Sequence, residues 1–220
     1  MEKTIDILFK DFLPAIATLL AAFLGAWFAF ILENRKKERE LEDKNIAAGN
    51  RALFVLIRQL NVLLVFQKQA IEPVRNHPGI FIAMEPLLPR TYDSLKFDVD
   101  SLSFLLETDY RQVLMEIMIE ELSFQETIRA INERSRIHFT QVQPLMEKAG
   151  IIEGGEYKNS DFERILGNRL YLHLRRLTDA VVDHVDKTVI SLRKMSEELR
   201  NVLRKLYPDA KFIQLKENNN

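Results

Sequence analysis

The chain has 220 residues, of which 47% are hydrophobic and 29% are charged, a composition typical of a folded protein. Its formal net charge of −1 excludes a strong overall field that would draw the protein toward nucleic acid or acidic partners. The sequence contains no cysteine, which excludes disulfides, thiolate nucleophiles and cysteine-based zinc sites.

The first feature along the chain is an uncharged apolar segment that runs from Phe12 to Leu32. As a helix, its 21 residues would cross roughly 30 Å of hydrocarbon, the thickness of a bilayer core. A secretory signal would have a shorter apolar stretch followed by a small-residue cleavage site, and the sequence FILENRKK contains no such site. A core helix of a soluble protein is rarely uncharged on every face over this length. The segment therefore predicts a retained transmembrane helix, preceded by a short tail, residues 1–11.

Basic residues flank this predicted span unequally. Lys3 and Lys10 precede it, and four basic residues follow it closely: Arg35, Lys36, Lys37 and Arg39. Because lysine and arginine beside a membrane helix remain on the cytoplasmic side, we expect the tail to lie outside the cell and the C-terminal part inside it.

Small residues recur along one side of the predicted span, every fourth position: Ala17, Ala21, Gly25 and Ala29. Thr18, Ala22 and Ala26 form a second stripe beside them. Small side chains at this spacing let two helix backbones approach closely in lipid, so we expect homo-oligomerisation through the first stripe. The alternative is that alanine is simply a common residue in membrane helices.

A charged segment, residues 33–45, follows the span and contains five positive and five negative side chains without proline or glycine. Opposite charges one turn apart predict a solvated juxtamembrane helix. The next segment, residues 46–66, is apolar on most faces and has two interpretations. It is a core helix, which we favour, or a second membrane-active segment that involves Leu53, Leu56, Arg58, Leu60 and Leu64. Placing an arginine at mid-bilayer costs about 2.5–3.5 kcal/mol, which argues against a second span.

The rest of the chain predicts further helices separated by breaks. Four of the seven prolines fall between Pro73 and Pro89 and indicate a connection or loop. A short helix is expected at residues 98–107. A long helix is expected at residues 108–150, bent or ended by Pro144, and its apolar face comprises Leu114, Ile117, Met118, Leu122, Phe124, Ile128 and Ile131. A final helix is expected from Ser160, within the capping-box sequence SDFE, to Leu206.

These segments predict an all-α protein with a single N-terminal transmembrane helix followed by an antiparallel bundle of three long helices. The expected parts are the tail 1–11, the span 12–32, the juxtamembrane helix 33–45, the cytoplasmic domain 46–207 and a C-terminal tail 208–220.

Motifs for catalysis or metal binding are absent from the sequence. It has no glycine-rich phosphate loop, no Gly-x-Ser-x-Gly and no His-Glu-x-x-His, and its four histidines lack ligand spacing. We therefore expect no enzyme activity, no cofactor and no metal. Basic residues on the last helix alternate with acidic ones and lack an aromatic stacking platform, so we expect no direct sequence-specific nucleic-acid binding.

The first third of the chain resembles the small transmembrane effectors of bacterial retrons and other abortive-infection systems. The features that carry this resemblance are LLAAFLGAW in the span, the basic and acidic linker, and the apolar sequence LFVLIRQLNVLLVF. The resemblance implies an inner-membrane toxin that is held silent by a reverse transcriptase with its RNA–DNA product, or by another cytoplasmic sensor. It also implies that the face formed by Ala21, Gly25 and Ala29 is an assembly surface.

A second hypothesis assigns the protein to a different class. In this alternative the chain is a membrane-anchored adaptor or scaffold, whose helical domain binds a cytoplasmic partner while the span only localises it. The effector would make the bilayer leak, whereas the adaptor would leave it tight.

Overall fold

The computed structural model describes residues 2–151, 155 and 157–214, with side chains described from residue 16 onward. The chain is 82% helical and the described residues contain no strand, so the all-α prediction is confirmed. Within these residues the α-helices are α1 (Glu2–Phe66), α2 (Ile80–Ala83), α3 (Arg111–Ile137), α4 (Gln143–Lys148), α5 (Asn159–Leu166) and α6 (Asn168–Leu206).

Shorter helical turns join these elements. A π-helical turn, Gln67–Ile71, and a 3-10 turn, Glu72–Val74, follow α1, and a second π-helical turn, His138–Val142, joins α3 to α4. Two further 3-10 segments, Asp93–Leu95 and Asp100–Glu107, precede α3. The short helix expected at residues 98–107 is thus a 3-10 helix that begins two residues later, at Asp100.

The chain divides into two units, Met1–Ala47 and Ala48–Asn220. Within the first unit, α1 is a single helix through the predicted span and the juxtamembrane segment. The second unit contains the rest of α1 and all later elements. The predicted boundary between residues 45 and 46 falls two residues before the observed division.

The second unit is organised around two groups of buried apolar side chains. The larger group joins the end of α1, the 3-10 segments, α3 and α6, and includes Leu56, Leu60, Ile117, Val185 and Leu199. The smaller group joins α2, the second π-helical turn, α5 and the start of α6, and is formed by Phe81, Ile137, Val142, Phe162, Leu166, Tyr171 and Leu174. Burying such side chains stabilises a fold by about 1.5–3 kcal/mol each, before the entropy of ordering the chain is subtracted.

Helices α3 and α6 run antiparallel. The Ser191 hydroxyl donates a hydrogen bond to Glu120 Oε2 (2.7 Å), and the hydroxyls of Thr127 and Thr188 lie 3.0 Å apart. Thus residues further along α3 meet residues earlier along α6. The two threonines are buried and each satisfies the other, which avoids the cost of an unpaired hydroxyl in the core.

The end of α1 also packs along α6. A Cβ atom added to Gly49 would lie 2.7 Å from Leu203 Cδ2, so any other residue there would require the buried Leu203 side chain to shift. Directly after α1, in the π-helical turn, Gln67 Nε2 donates a hydrogen bond to Asp186 Oδ1 (2.7 Å). Gly49 thus lies near Leu203, and Gln67, later in the chain, lies near Asp186, earlier on α6. The end of α1 and α6 are therefore antiparallel as well.

The prediction of one uninterrupted final helix from Ser160 is wrong. The chain breaks at Gly167, whose φ of 71° lies in the left-handed region that favours glycine. The helix before the break begins at Asn159, and the backbone N–H of Lys158 donates to Asp161 Oδ2 (3.0 Å). The capping carboxylate is therefore Asp161, three residues after the N-cap.

The expected apolar face of α3 is also partly wrong. Leu114, Ile117 and Phe124 are buried as expected, but Met118 is 40% exposed and Leu122 is 62% exposed. The expected helix 108–150 is shorter too, because α3 begins at Arg111 and ends at Ile137. The π-helical turn that follows comes directly before the helix containing Pro144, whose ring nitrogen cannot donate to the preceding turn.

Candidate functional site: an exposed apolar helix

The most unusual surface of the molecule is the part of α1 between residues 16 and 30, where every side chain is exposed. The large apolar side chains exposed on this part of the chain and just after it are Ile16, Leu19, Leu20, Phe23, Leu24, Trp27, Phe28, Phe30 and Leu32. Leaving so much apolar area in water is strongly unfavourable, and a soluble monomer rarely shows such a patch.

Within the described residues, one helix is long and apolar enough to span a membrane. Its most apolar stretch lies near the N-terminus and none of that stretch is buried. The core helix of a soluble protein can have the same length and composition, but its apolar residues are covered. Exposure on all sides is what a lipid-facing helix requires.

The predicted assembly face occupies open surface of this helix. Ala17, Ala21, Gly25 and Ala29 are all exposed. A Cβ atom added to Gly25 would meet no atom within 4 Å. The glycine is therefore not required by packing within the chain, and a larger side chain there would change only what approaches from outside.

The four basic residues after the span differ in their partners. Lys37 pairs with Glu33 at 2.7 Å, and the hydrogen bond between them lowers the pKa of Glu33. Lys36 pairs with Glu40 at 3.8 Å. Arg35 and Arg39 are exposed and form no ion pair among the described residues. Their guanidinium groups are free to contact lipid phosphates.

The segment considered as a second membrane-active element lies in the second unit and is largely covered. Leu53, Leu56 and Leu60 are at most 1% exposed, and Leu64 is half-buried against the same core. Arg58 is exposed, with its guanidinium carbon 5.6 Å from the centre of the Phe54 ring. Inserting this segment into lipid would require the core to open, because these leucines pack inside it.

Two buried polar residues, Arg134 on α3 and His138 in the turn after it, were not predicted from the sequence. Arg134 is 1% exposed and donates to the carbonyl oxygens of Phe81 (3.2 Å) and Met84, and to Thr178 Oγ1 (3.4 Å). Burial lowers the pKa of Arg134 to about 10. This side chain holds the α2 turn against α3. In the sequence, the only indication that Arg134 is buried is its position three residues after Ile131, which places both residues on the same side of α3.

His138 lies one turn further along and is 5% exposed. Among the described residues, neither ring nitrogen has a partner that meets strict hydrogen-bond geometry, although the backbone of Ile82 is near enough to raise the pKa of the ring slightly. Burial and the neighbouring Arg134 charge lower the pKa of His138 to about 4. The ring forms part of the wall of a cavity of about 950 Å³ that Glu85 and Glu147 also line.

Residues around the sequence VVDHVDK do not converge on a metal. Asp183 pairs with Lys187 at 2.7 Å, whereas Asp186 turns to the other side and pairs with Arg75 at 2.7 Å. Across the part of the chain that the structure describes, no group of three histidine, aspartate or glutamate side chains could hold a metal ion. The Asp186 pair was also missed, because its partner lies 111 residues away.

No family model, curated protein or solved structure matches this chain.

Proposed function

We propose that the chain is a single-span protein of the bacterial inner membrane. Residues 1–11 lie outside the cell and the second unit lies in the cytoplasm, where its helices work as an antiparallel bundle of three long helices. The observation that supports this proposal is the exposure of every side chain from residue 16 to residue 30. The free guanidinium groups of Arg35 and Arg39 favour the cytoplasmic side for the end of the span.

We further propose that the protein is a membrane-acting effector of an anti-phage abortive-infection system, such as a retron. In the resting state a cytoplasmic sensor, for example a reverse transcriptase with its RNA–DNA product, holds the second unit. Release allows the spans to assemble through Ala17, Ala21, Gly25 and Ala29, and the bilayer leaks. The open space around Gly25 supports this assembly face, since close approach of two backbones needs such a position.

The alternative function is a membrane-anchored adaptor or scaffold for a cytoplasmic partner. One observation favours it: Leu53, Leu56 and Leu60 pack in the core of the second unit, which leaves one exposed apolar helix per chain among the described residues. A leaking assembly would then need several copies, whereas an adaptor needs one anchor only.

Two matched variants separate the two functions. Gly25→Leu adds a large side chain to the small-residue face, and Ala26→Leu adds the same side chain roughly 100° around the helix. Both positions are exposed in the single chain, so neither variant disturbs its packing. Each full-length variant is expressed in cells without its sensor, and dye uptake and membrane potential are followed.

The effector function predicts that the unmodified chain and Ala26→Leu collapse the membrane potential and admit dye, whereas Gly25→Leu does neither. The adaptor function predicts intact membranes in all three strains. Leakage that persists unchanged in Gly25→Leu at equal expression would show that the small-residue face does not carry the assembly.

A further inference from the structure

Helix α3 carries an apolar stripe on its exposed side, in addition to the apolar residues that enter the core. The four residues of this stripe are 40% to 62% exposed: Met115, Met118, Ile119 and Leu122. Their spacing of three, four and seven positions places them on one side of the helix, one above another. A contiguous apolar surface of this kind on a folded unit marks a site of protein association.

Charged residues flank the stripe in an ordered way. Asp109 and Arg111 lie before it, are exposed, and form no ion pair among the described residues. Glu126 and Arg129 lie after it and pair with each other at 2.6 Å. At 100° per residue, Arg111, Glu126 and Arg129 all lie within about 50° of the centre of the stripe. Arg111 therefore stands at one end of this surface and the Glu126–Arg129 pair at the other, while Asp109 lies in the turn before α3.

We propose that the α3 stripe docks against the same stripe of a second copy of this chain, with the two α3 helices antiparallel. The two-fold axis passes midway between Met118 and Ile119, which is the centre of the stripe. Met115 then lies opposite Leu122 of the second copy, so all four apolar side chains of each copy are covered. The pairing is isologous, since each contact occurs twice.

The charges select this partner and this direction. In the antiparallel pairing Arg111 lies opposite Glu126 of the second copy. A parallel pairing would instead bring Arg111 against Arg111 and Glu126 against Glu126, and like charges in contact oppose association. The basic end of the stripe matches the acidic end only when the second helix runs in the opposite direction. The partner that offers both ends in this arrangement is a second copy of the same chain.

This surface lies in the second unit and is distinct from the small-residue face of the span. Dimerisation through α3 is open to an effector and to an adaptor alike, so it does not depend on the proposed effector activity. Its consequence is that the second unit contributes its own self-association to any assembly of the full chain.

The absence of cysteine allows a direct test by disulfide cross-linking. Met115→Cys and Leu122→Cys are made as separate full-length chains with tags of different size, purified in mild detergent, and oxidised alone and as a mixture. In the antiparallel pairing residue 115 faces residue 122, whereas two copies of residue 115 are offset by roughly 10 Å along the helix axis. A disulfide needs Cα atoms within about 7 Å.

We expect the mixture to give a mixed disulfide at least severalfold more abundant than the product of either variant alone. Asp179→Cys, on the exposed side of α6, controls for random collision in the micelle. The substitution Arg111→Glu should lower the mixed product severalfold, and adding Glu126→Arg should restore it. Cross-linking of each variant mainly with itself would overturn the antiparallel arrangement. Yields no higher than those of Asp179→Cys would overturn the docking surface altogether.

Discussion

The guanidinium of Arg75 binds both carboxylate oxygens of Asp186, with Nη1 to Oδ2 at 2.7 Å and Nη2 to Oδ1 at 2.9 Å. Gln67 Nε2 donates to the same Oδ1 at 2.7 Å. Three side chains thus fasten the turns after α1 to the middle of α6. The hydrogen bond from Arg75 is also the main reason why the pKa of Asp186 lies below its ordinary value.

Asp186→Asn should lower the free energy of unfolding at neutral pH by about 1 kcal/mol, since the pair is a bidentate but partly exposed interaction. Asp183→Asn is the control. Its partner Lys187 is exposed, so this substitution should lower the free energy of unfolding by about a few tenths of a kcal/mol at most. The measurement is thermal unfolding of the full chain in detergent, followed by circular dichroism. Equal effects of the two substitutions would contradict a special role for Asp186.

The same pair has a pH signature. Because the folded pKa of Asp186 is lowered, its stabilisation is present above the unfolded pKa near 4 and is lost as pH falls through the folded value. The difference in stability between the unmodified chain and Asp186→Asn should therefore shrink below about pH 4.

Arg134→Ala should destabilise the second unit by about 3 kcal/mol or more, because it leaves a cavity and unpaired carbonyl oxygens on Phe81 and Met84. Arg136→Ala, two residues further along α3, removes only an exposed pair with Glu133 and should leave the free energy of unfolding almost unchanged. Urea titration of both full-length variants measures the difference. A loss of similar size in both would mean that the buried guanidinium does not fasten the α2 turn.

His138 should make the protein sensitive to mild acid. The unfolded chain binds a proton at this imidazole near pH 6.5, whereas the folded chain does so only near pH 4. Stability should fall by about 3 kcal/mol between these two pH values, since each pKa unit corresponds to about 1.4 kcal/mol. His138→Leu should flatten this part of the profile of unfolding free energy against pH. An unchanged slope in the variant would refute the buried neutral imidazole.

The apolar helix near the N-terminus could be predicted from the sequence because an uncharged run of 21 residues is a strong local signal. The face of α3 that packs into the core could not be predicted from the sequence in the same way. Its sequence contains one apolar set at Leu114, Ile117 and Phe124 and another at Met115, Ile119 and Leu122, and both fit a helix. Packing against α6 decides between them, and packing depends on residues distant in sequence.

Two other features show why local patterns were insufficient. The predicted capping box of Ser160 and Glu163 is wrong in its residues, because the helix begins at Asn159 and its capping carboxylate is Asp161. Gly167 then interrupts that helix after two turns. Arg75, Arg134 and His138 carry polar groups whose partners or surroundings come from other elements. No spacing within their own segment encodes those contacts.

The central claim is that α1 spans the inner membrane and that the second unit lies in the cytoplasm. Because the chain has no cysteine, Asp179→Cys provides a single reporter thiol on the exposed side of α6. Membranes from cells that express this full-length variant are extracted with alkaline carbonate, and intact spheroplasts are treated with a membrane-impermeant maleimide. The account predicts that the protein stays in the membrane pellet and is labelled only after the cells are permeabilised. Recovery in the soluble fraction without detergent, or labelling of intact spheroplasts, would contradict it.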